Sequence, residues 1–186
     1  MTLMRFAEQA AWTFIDREGG GLELVAINPV GIFGPVLGPD FSSSVGLIKA
    51  MLEGKMPAAP KLSFGVVDVR DLAALHLKAL IELRANGLRF LASAGDCVTM
   101  HQIARALRTP MGPSAKRAPR FEFPNSFVRL AAKRNPSLRT MLSELGKIKH
   151  ITNEKARQVL GWEPRSNSEA VVACAESLLA LGLVSR

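Results

Sequence analysis

The chain has 186 residues, 48% of them hydrophobic, and a formal net charge of +8. That is the size and apolar content of one ordinary globular domain, and no run approaches the roughly 18 uninterrupted apolar residues of a membrane span, so a cytoplasmic protein with no membrane partner is expected. Two cysteines, Cys97 and Cys174, stand far apart with no Cys/His spacing around them, which excludes a zinc site or a disulfide framework as the organising principle and makes both small buried hydrophobes.

The first predicted element is a helix. In MTLMRFAEQAAWTFID, Leu3, Ala7, Ala10, Ala11, Phe14 and Ile15 recur at helical spacing and define an apolar face. The helix begins almost at residue 1, with only Thr2 upstream as a cap and no strand before it to cover that face. A Gly turn at 19–21 leads into LELVAI (22–27), which reads as a strand buried on both sides and ends at Asn28-Pro29. The next stretch, VGIFGPVLGPD, holds three Gly and two Pro, which reads as a loop at the carboxyl end of that strand, the place where open α/β sheets bind ligands.

SSSVGLIKAMLEG supplies Ser caps and a helix closed by Gly54. A second strand is expected over 62–69 and a helix over RDLAALHLKALIEL, with Leu72, Leu75, Ala79 and either Leu80 or Ile81 as its buried stripe. Asp68, Arg70 and Asp71 read as a brace between this strand and helix, with acids at the positive end of the helix dipole. A third strand is expected at 87–94, and Thr99 with Gln102 forms a capping box for the helix that follows. The stretch 110–150 is irregular and reads as a substrate-side region. Asn153 caps a helix that Gly161 turns off, Trp162 folds back on it and Pro164 stops it. Ser166 and Glu169 box the last helix.

Local chemistry nominates little. His76, His101 and His150 lie on or beside helices without partners at triad or ligand spacing and read as structural. There is no metal-ligand cluster, GxGxxG or P-loop, and no tyrosine, so no phenolic acid is available within these residues. Between Arg105 and Lys149 eleven Lys/Arg face only Glu122 and Glu144. Phe121, Phe123 and Phe127 cluster in one stretch there and do not interleave with the cations, so nucleic acid is not the expected partner and a solvated face is the default, with an acidic partner as the alternative.

FAEQAAWTF, LVAINPVGIFGP, VVDVRDLAALHLKAL, GLRFLAS and ITNEKARQVLGWEP occur in the order seen in extended short-chain dehydrogenases/reductases. The chain resembles the branch of dihydroflavonol reductases and aldehyde (methylglyoxal) reductases, and its motifs match the carboxyl-terminal part of that fold. The resemblance implies an α/β protein: the last part of a Rossmann-type doubly wound sheet (1–34 and 62–108) plus a small, mostly helical substrate domain (35–61 and 109–186). It implies NAD(P) as cofactor and a small aldehyde, ketone or dihydroflavonol-like carbonyl as substrate, with Pro29 against the nicotinamide, the Ile32 backbone facing its carboxamide, and Ser44 hydrogen-bonding near the nicotinamide end or pyrophosphate.

The family's Tyr-x-x-Ser-Lys-x-x-Ala-Glu aligns on Ala7-Glu8. This puts the Ser at Leu3, the Lys at Met4 and the Tyr before Met1, so no catalytic residue of that motif is expected in the chain and the 186 residues alone are expected to be inactive. Self-association or a complementing amino-terminal half is then expected. The alternative reading is a non-catalytic interaction module acting through its basic 105–149 face.

Overall fold

The computed structural model describes residues 2–133, 139 and 142–185, with residues 2–4 and 131 described by their backbone alone. The elements run α1 (Thr2–Glu18), β1 (Ala26–Pro29), β2 (Gly31–Phe33), α2 (Ser43–Leu52), β3 (Ser63–Phe64), β4 (Val66–Asp68), α3 (Val69–Ile81), β5 (Arg89–Ala92), β6 (Val98–Thr99), α4 (Met100–Met111), α5 (Asn125–Ala132), α6 (Glu154–Leu160) and α7 (Asn167–Ala180). Part of the basic 105–149 stretch lies outside the described residues.

The sheet forks. β1 runs parallel to β5, with Ala26 opposite Arg89 and Pro29 opposite Ala92, and β2 runs parallel to β4, with Gly31 opposite Val66. Between them the Val30 N–H donates to the Ala92 carbonyl at 3.2 Å and the Gly31 N–H to the Gly65 carbonyl at 3.1 Å. One continuous stretch, 26–33, thus changes partner at Val30. The predicted loop after Pro29 is therefore half strand: Gly31, Ile32 and Phe33 pair before the chain turns off at Gly34 and Pro35. Its Gly and Pro content hid a three-residue strand that takes its order from β4 rather than from its own propensity.

The strand expected over 62–69 is also two pieces. β3 pairs antiparallel with β6, whereas β4 pairs parallel with β2, and Gly65 is the break. A Cβ on Gly65 would come within 2.8 Å of the Val30 side chain and 2.7 Å of Ile151, so only glycine lets the strands approach this closely.

Two apolar clusters fill the molecule. In one, Val67, Leu72, Leu75, Phe90 and Trp162 bring β4, β5, α3 and α6 together. In the other, Phe33, Ile48, Met51, Leu107 and Leu178 join β2, α2, α4 and α7. The stripe of α3 is Leu72, Leu75 and Ala79 as expected, but Leu80 and Ile81 both face solvent. The last helix is more deeply packed than its terminal position suggests, with Ala170, Val171, Cys174, Ala175 and Leu178 all buried. The opposite holds for α1, whose Phe6 and Phe14 are 62% and 50% exposed.

Both capping boxes form, Thr99 with Gln102 and Ser166 with Glu169. Two other expected caps do not. Ser42 occupies the N-cap position of α2 with no side-chain cap bond. Asn153 sits at the N-cap of α6 but turns its amide inward, where Nδ2 donates to the Ser93 carbonyl at 2.8 Å. There it ties α6 to the residue that follows β5, which satisfies a buried carbonyl instead of a helix end. Gly161 closes α6 in the left-handed conformation and the Trp162 N–H returns to the Ala156 carbonyl, as the spacing implied. Cys174 is buried, while Cys97 is only half-buried.

Candidate functional site

The fork places a small set of groups at the carboxyl end of β1. Asn28 and Pro29 end the strand, and Ile32 follows, half-buried, opposite Val67. Pro29 has no N–H to give, which suits the last position of a strand whose neighbour is about to change. Phe33 is buried and stacks on Phe64 at 6.2 Å. The chain then passes over Asp68 at Gly34, whose φ of +109° and 2.9 Å approach of a built Cβ to Asp68 Oδ1 both require glycine.

Beyond the loop, α2 starts with Ser43 and Ser44 and packs against β2. The first N–H groups of this ten-residue helix have no partner within the helix, and Ser44 is half-buried among them. The loop itself is pinned, since the Val36 N–H donates to Ser177 Oγ at 2.8 Å. Pro29 and Ile32 therefore share one strand stretch, and Ser44 is carried on the helix that packs against it.

Below lies the brace expected from the sequence. Asp68 is fully buried, caps α3 by accepting the Arg70 N–H at 2.9 Å, and accepts Nε and Nη2 of the same arginine at 2.9 and 2.7 Å. Burial works against its charge, but the Arg70 guanidinium and backbone amide outweigh that and hold the carboxyl below the usual aspartate range. Asp71 accepts both the backbone N–H and the guanidinium of Arg165, and the Asp71 carbonyl takes the Trp162 indole N–H at 2.9 Å. These groups are structural. They fix β4 and α3 beneath Gly34.

One group escaped the sequence reading. Asn28 Nδ2 is buried and has no hydrogen-bond partner among the described residues. A buried amide donor without an acceptor is costly unless a ligand supplies one. The adjacent Asn-Pro was legible only as a strand terminator, because satisfaction of an amide is a tertiary property.

The histidines are engaged elsewhere. His76 Nδ1 meets the Leu72 carbonyl, His101 Nε2 the Arg120 carbonyl, and His150 Nδ1 lies 2.7 Å from Asp96 Oδ2. The His150 pair is a contact across 54 residues that no spacing could reveal. Met4 stands in the first turn of α1, and its side chain is outside the described residues. No group of three metal-ligating side chains occurs among the described residues, and no helix among them is long and apolar enough to cross a membrane.

The fold is that of Rossmann-type α/β proteins, and the relatives found by sequence and structure are reductases of the extended short-chain dehydrogenase/reductase superfamily. Within that superfamily it falls in the reductase branch and corresponds to the carboxyl-terminal part of its relatives. It is 30% identical over 182 residues to the ketoreductase azaE of Aspergillus niger, a match that covers 94% of this chain and 48% of that one. The NADPH-dependent methylglyoxal reductase GRE2 of Saccharomyces cerevisiae is 34% identical over 97 residues, 48% of this chain and 28% of the relative. The crystal structure of Gre2 from Candida albicans with NADPH superposes with a TM-score of 0.70 at 25% identity, over 95% of this chain and 49% of that one. The chain thus spans about half the length of the relatives it matches most fully. No protein-family model matches it.

Proposed function

We propose that this chain carries the nicotinamide-side wall and substrate-side region of an NAD(P)-dependent reductase of small aldehydes, ketones or dihydroflavonol-like carbonyls. The observation that carries the reading is the orphaned buried donor of Asn28 beside Pro29 at the carboxyl end of β1. Residues 1–34 and 62–108 make up the nucleotide-sheet part on this reading, and 35–61 and 109–186 the substrate-side part.

The residues present fit a nicotinamide nucleotide. Asn28 Nδ2 would donate to an oxygen of the carboxamide or ribose, Pro29 would lie against the nicotinamide with the Ile32 backbone facing its carboxamide, and Ser44 with the free N–H groups of α2 would meet anionic oxygens. When bound in its reduced form, the cofactor supplies a hydride. What this chain contributes is position and exclusion of water, because it has no tyrosine and the lysine position of the family motif is Met4. A thioether neither carries charge nor moves a proton.

Two measurements test the reading. Saturation-transfer NMR with NADPH should show contact to the nicotinamide protons, reproduced by reduced nicotinamide mononucleotide and weakened in Asn28→Ala and Ser44→Ala. Contact confined to adenosine 2′,5′-bisphosphate, or unchanged in both variants, would overturn it. The 186-residue polypeptide should reduce no methylglyoxal with NADPH, and Met4→Lys should not restore turnover, since the phenolic proton donor that the ammonium assists is absent from these residues.

A further inference from the structure

The surface from α4 to α5 combines two features that the reductase reading does not use. The first is uncompensated positive charge. From 105 to 133 there are seven Lys/Arg and one acid, Glu122. None of those seven cations forms an ion pair among the described residues. Positions 101, 105 and 108 share one face of α4, and the segment 119–120 is tied onto that face, with Arg108 Nη1 donating to the Pro119 carbonyl and His101 meeting the Arg120 carbonyl. Arg105 and Arg120 consequently crowd Arg108, and burial together with these two like charges pushes its guanidinium below its ordinary value.

The second feature is exposed apolar area beside this charge. α5 buries Val128 and Ala132 on its inner side, yet Phe127 and Leu130, three residues apart on its outer side, are 55% and 63% exposed, and Phe121 is 73% exposed. Phe123 stacks on Phe127 at 5.0 Å and holds it in place. Arg129 and Lys133 flank the exposed pair and face solvent.

We infer that this face docks the protein on an anionic lipid surface, with Phe121, Phe127 and Leu130 entering the headgroup boundary and Arg105, Arg120, Arg129 and Lys133 meeting lipid phosphates. Exposed apolar side chains with unpaired cations next to them in the chain, Arg120 before Phe121 and Arg129 and Lys133 beside Phe127 and Leu130, match the layered chemistry of such a surface. An acidic protein would need its carboxylates aimed at fixed positions, whereas a lipid surface accepts cations on flexible stems wherever they fall. The expectation of no membrane partner came from the lack of a spanning segment, and that criterion is blind to docking from one side.

The test is co-sedimentation of the full chain with vesicles of phosphatidylcholine alone and of phosphatidylcholine mixed with phosphatidylserine. Binding is expected only to the phosphatidylserine vesicles, falling as NaCl is raised through physiological strength. Phe127→Ser with Leu130→Ser, and separately Arg105→Gln with Arg120→Gln, should each lower the partition coefficient about tenfold or more while leaving the melting temperature unchanged. No binding, equal binding to both vesicles, or native binding by both variants overturns the inference. So does tight binding of a short single-stranded oligonucleotide that survives Phe127→Ser with Leu130→Ser while vesicles are ignored.

Discussion

Asp68 holds its charge with none of its surface in water, and Arg70 twice over is the reason: once through its backbone N–H and once through its guanidinium. Replacing the buried carboxylate by an amide leaves its contact with the exposed Arg70 guanidinium half made, so Asp68→Asn should cost about 2 kcal/mol in urea unfolding. The sign of the pH dependence follows. A carboxyl whose folded pKa is depressed stabilises the fold above its unfolded value and loses that contribution as pH falls through its folded value. Asp96, Glu53 and Glu82 behave alike, each held down to about 2: Asp96 by His150 and two backbone N–H groups, Glu53 by Lys55 and the Ser185 N–H, Glu82 by Arg84. Urea midpoints should therefore be flat above about pH 5 and decline steadily from about 4.5 toward 2. A midpoint that rises on acidification would contradict these pairings. The brace of Asp68, Arg70 and Asp71 was legible as an acid-capped helix start, but Arg165, 94 residues along the chain from Asp71, was not, because no local rule joins them.

At the scale of elements, helices were legible and strands were half legible. Capping boxes and the Gly161 stop are local chemistry, so α4, α6 and α7 stand where their sequences put them. β2 and the split of β3 from β4 are not local. Gly31 to Phe33 is a strand because β4 lies beside it, and at Gly65, between the two pairings, Val30 and Ile151 occupy the space a Cβ would need. Gly65→Ala should therefore cost about 1–3 kcal/mol through overpacking at the fork, visible as a lowered melting temperature. It should also displace Val30 and with it Pro29, so the nicotinamide contacts proposed above should weaken in the same variant. Gly46→Ala serves as the control, since a Cβ there meets nothing within 4 Å and the helix gains propensity. Its melting temperature should stay level or rise. If both variants melt alike, the fork is more tolerant than its close contacts imply.

For the whole molecule, the contrast between the two terminal helices decides how the chain behaves in solution. The apolar face of α1 was expected to stand uncovered, for want of a preceding strand. α7 instead lies between α2 and α4 with five side chains buried, so it belongs to the cooperative core. α1 shows the reverse: Phe6, Ala10 and Phe14 line an open groove of about 430 Å³ on its surface, and among the described residues the Glu8–Arg89 pair at 3.1 Å is its ion pair to the sheet. An exposed pair of that kind contributes little. Among the described residues β1 pairs with β5 and with no second strand, so one edge of it is also open. Helix α1 should consequently open at lower denaturant than the core, and the two tryptophans report this separately, since Trp12 rides on α1 and Trp162 is buried between α3 and α6. Acrylamide quenching in Trp162→Phe, which leaves Trp12, should rise before quenching in Trp12→Phe does. The same apolar face favours pairing with another chain. Sedimentation at micromolar concentration should show dimers or larger species, and Phe6→Glu with Phe14→Glu should shift them toward monomer without lowering the core transition reported by Trp162. A monodisperse monomer of the native chain, with both tryptophans melting together, would mean that α1 docks more firmly than the Glu8–Arg89 pair and its exposed rings allow.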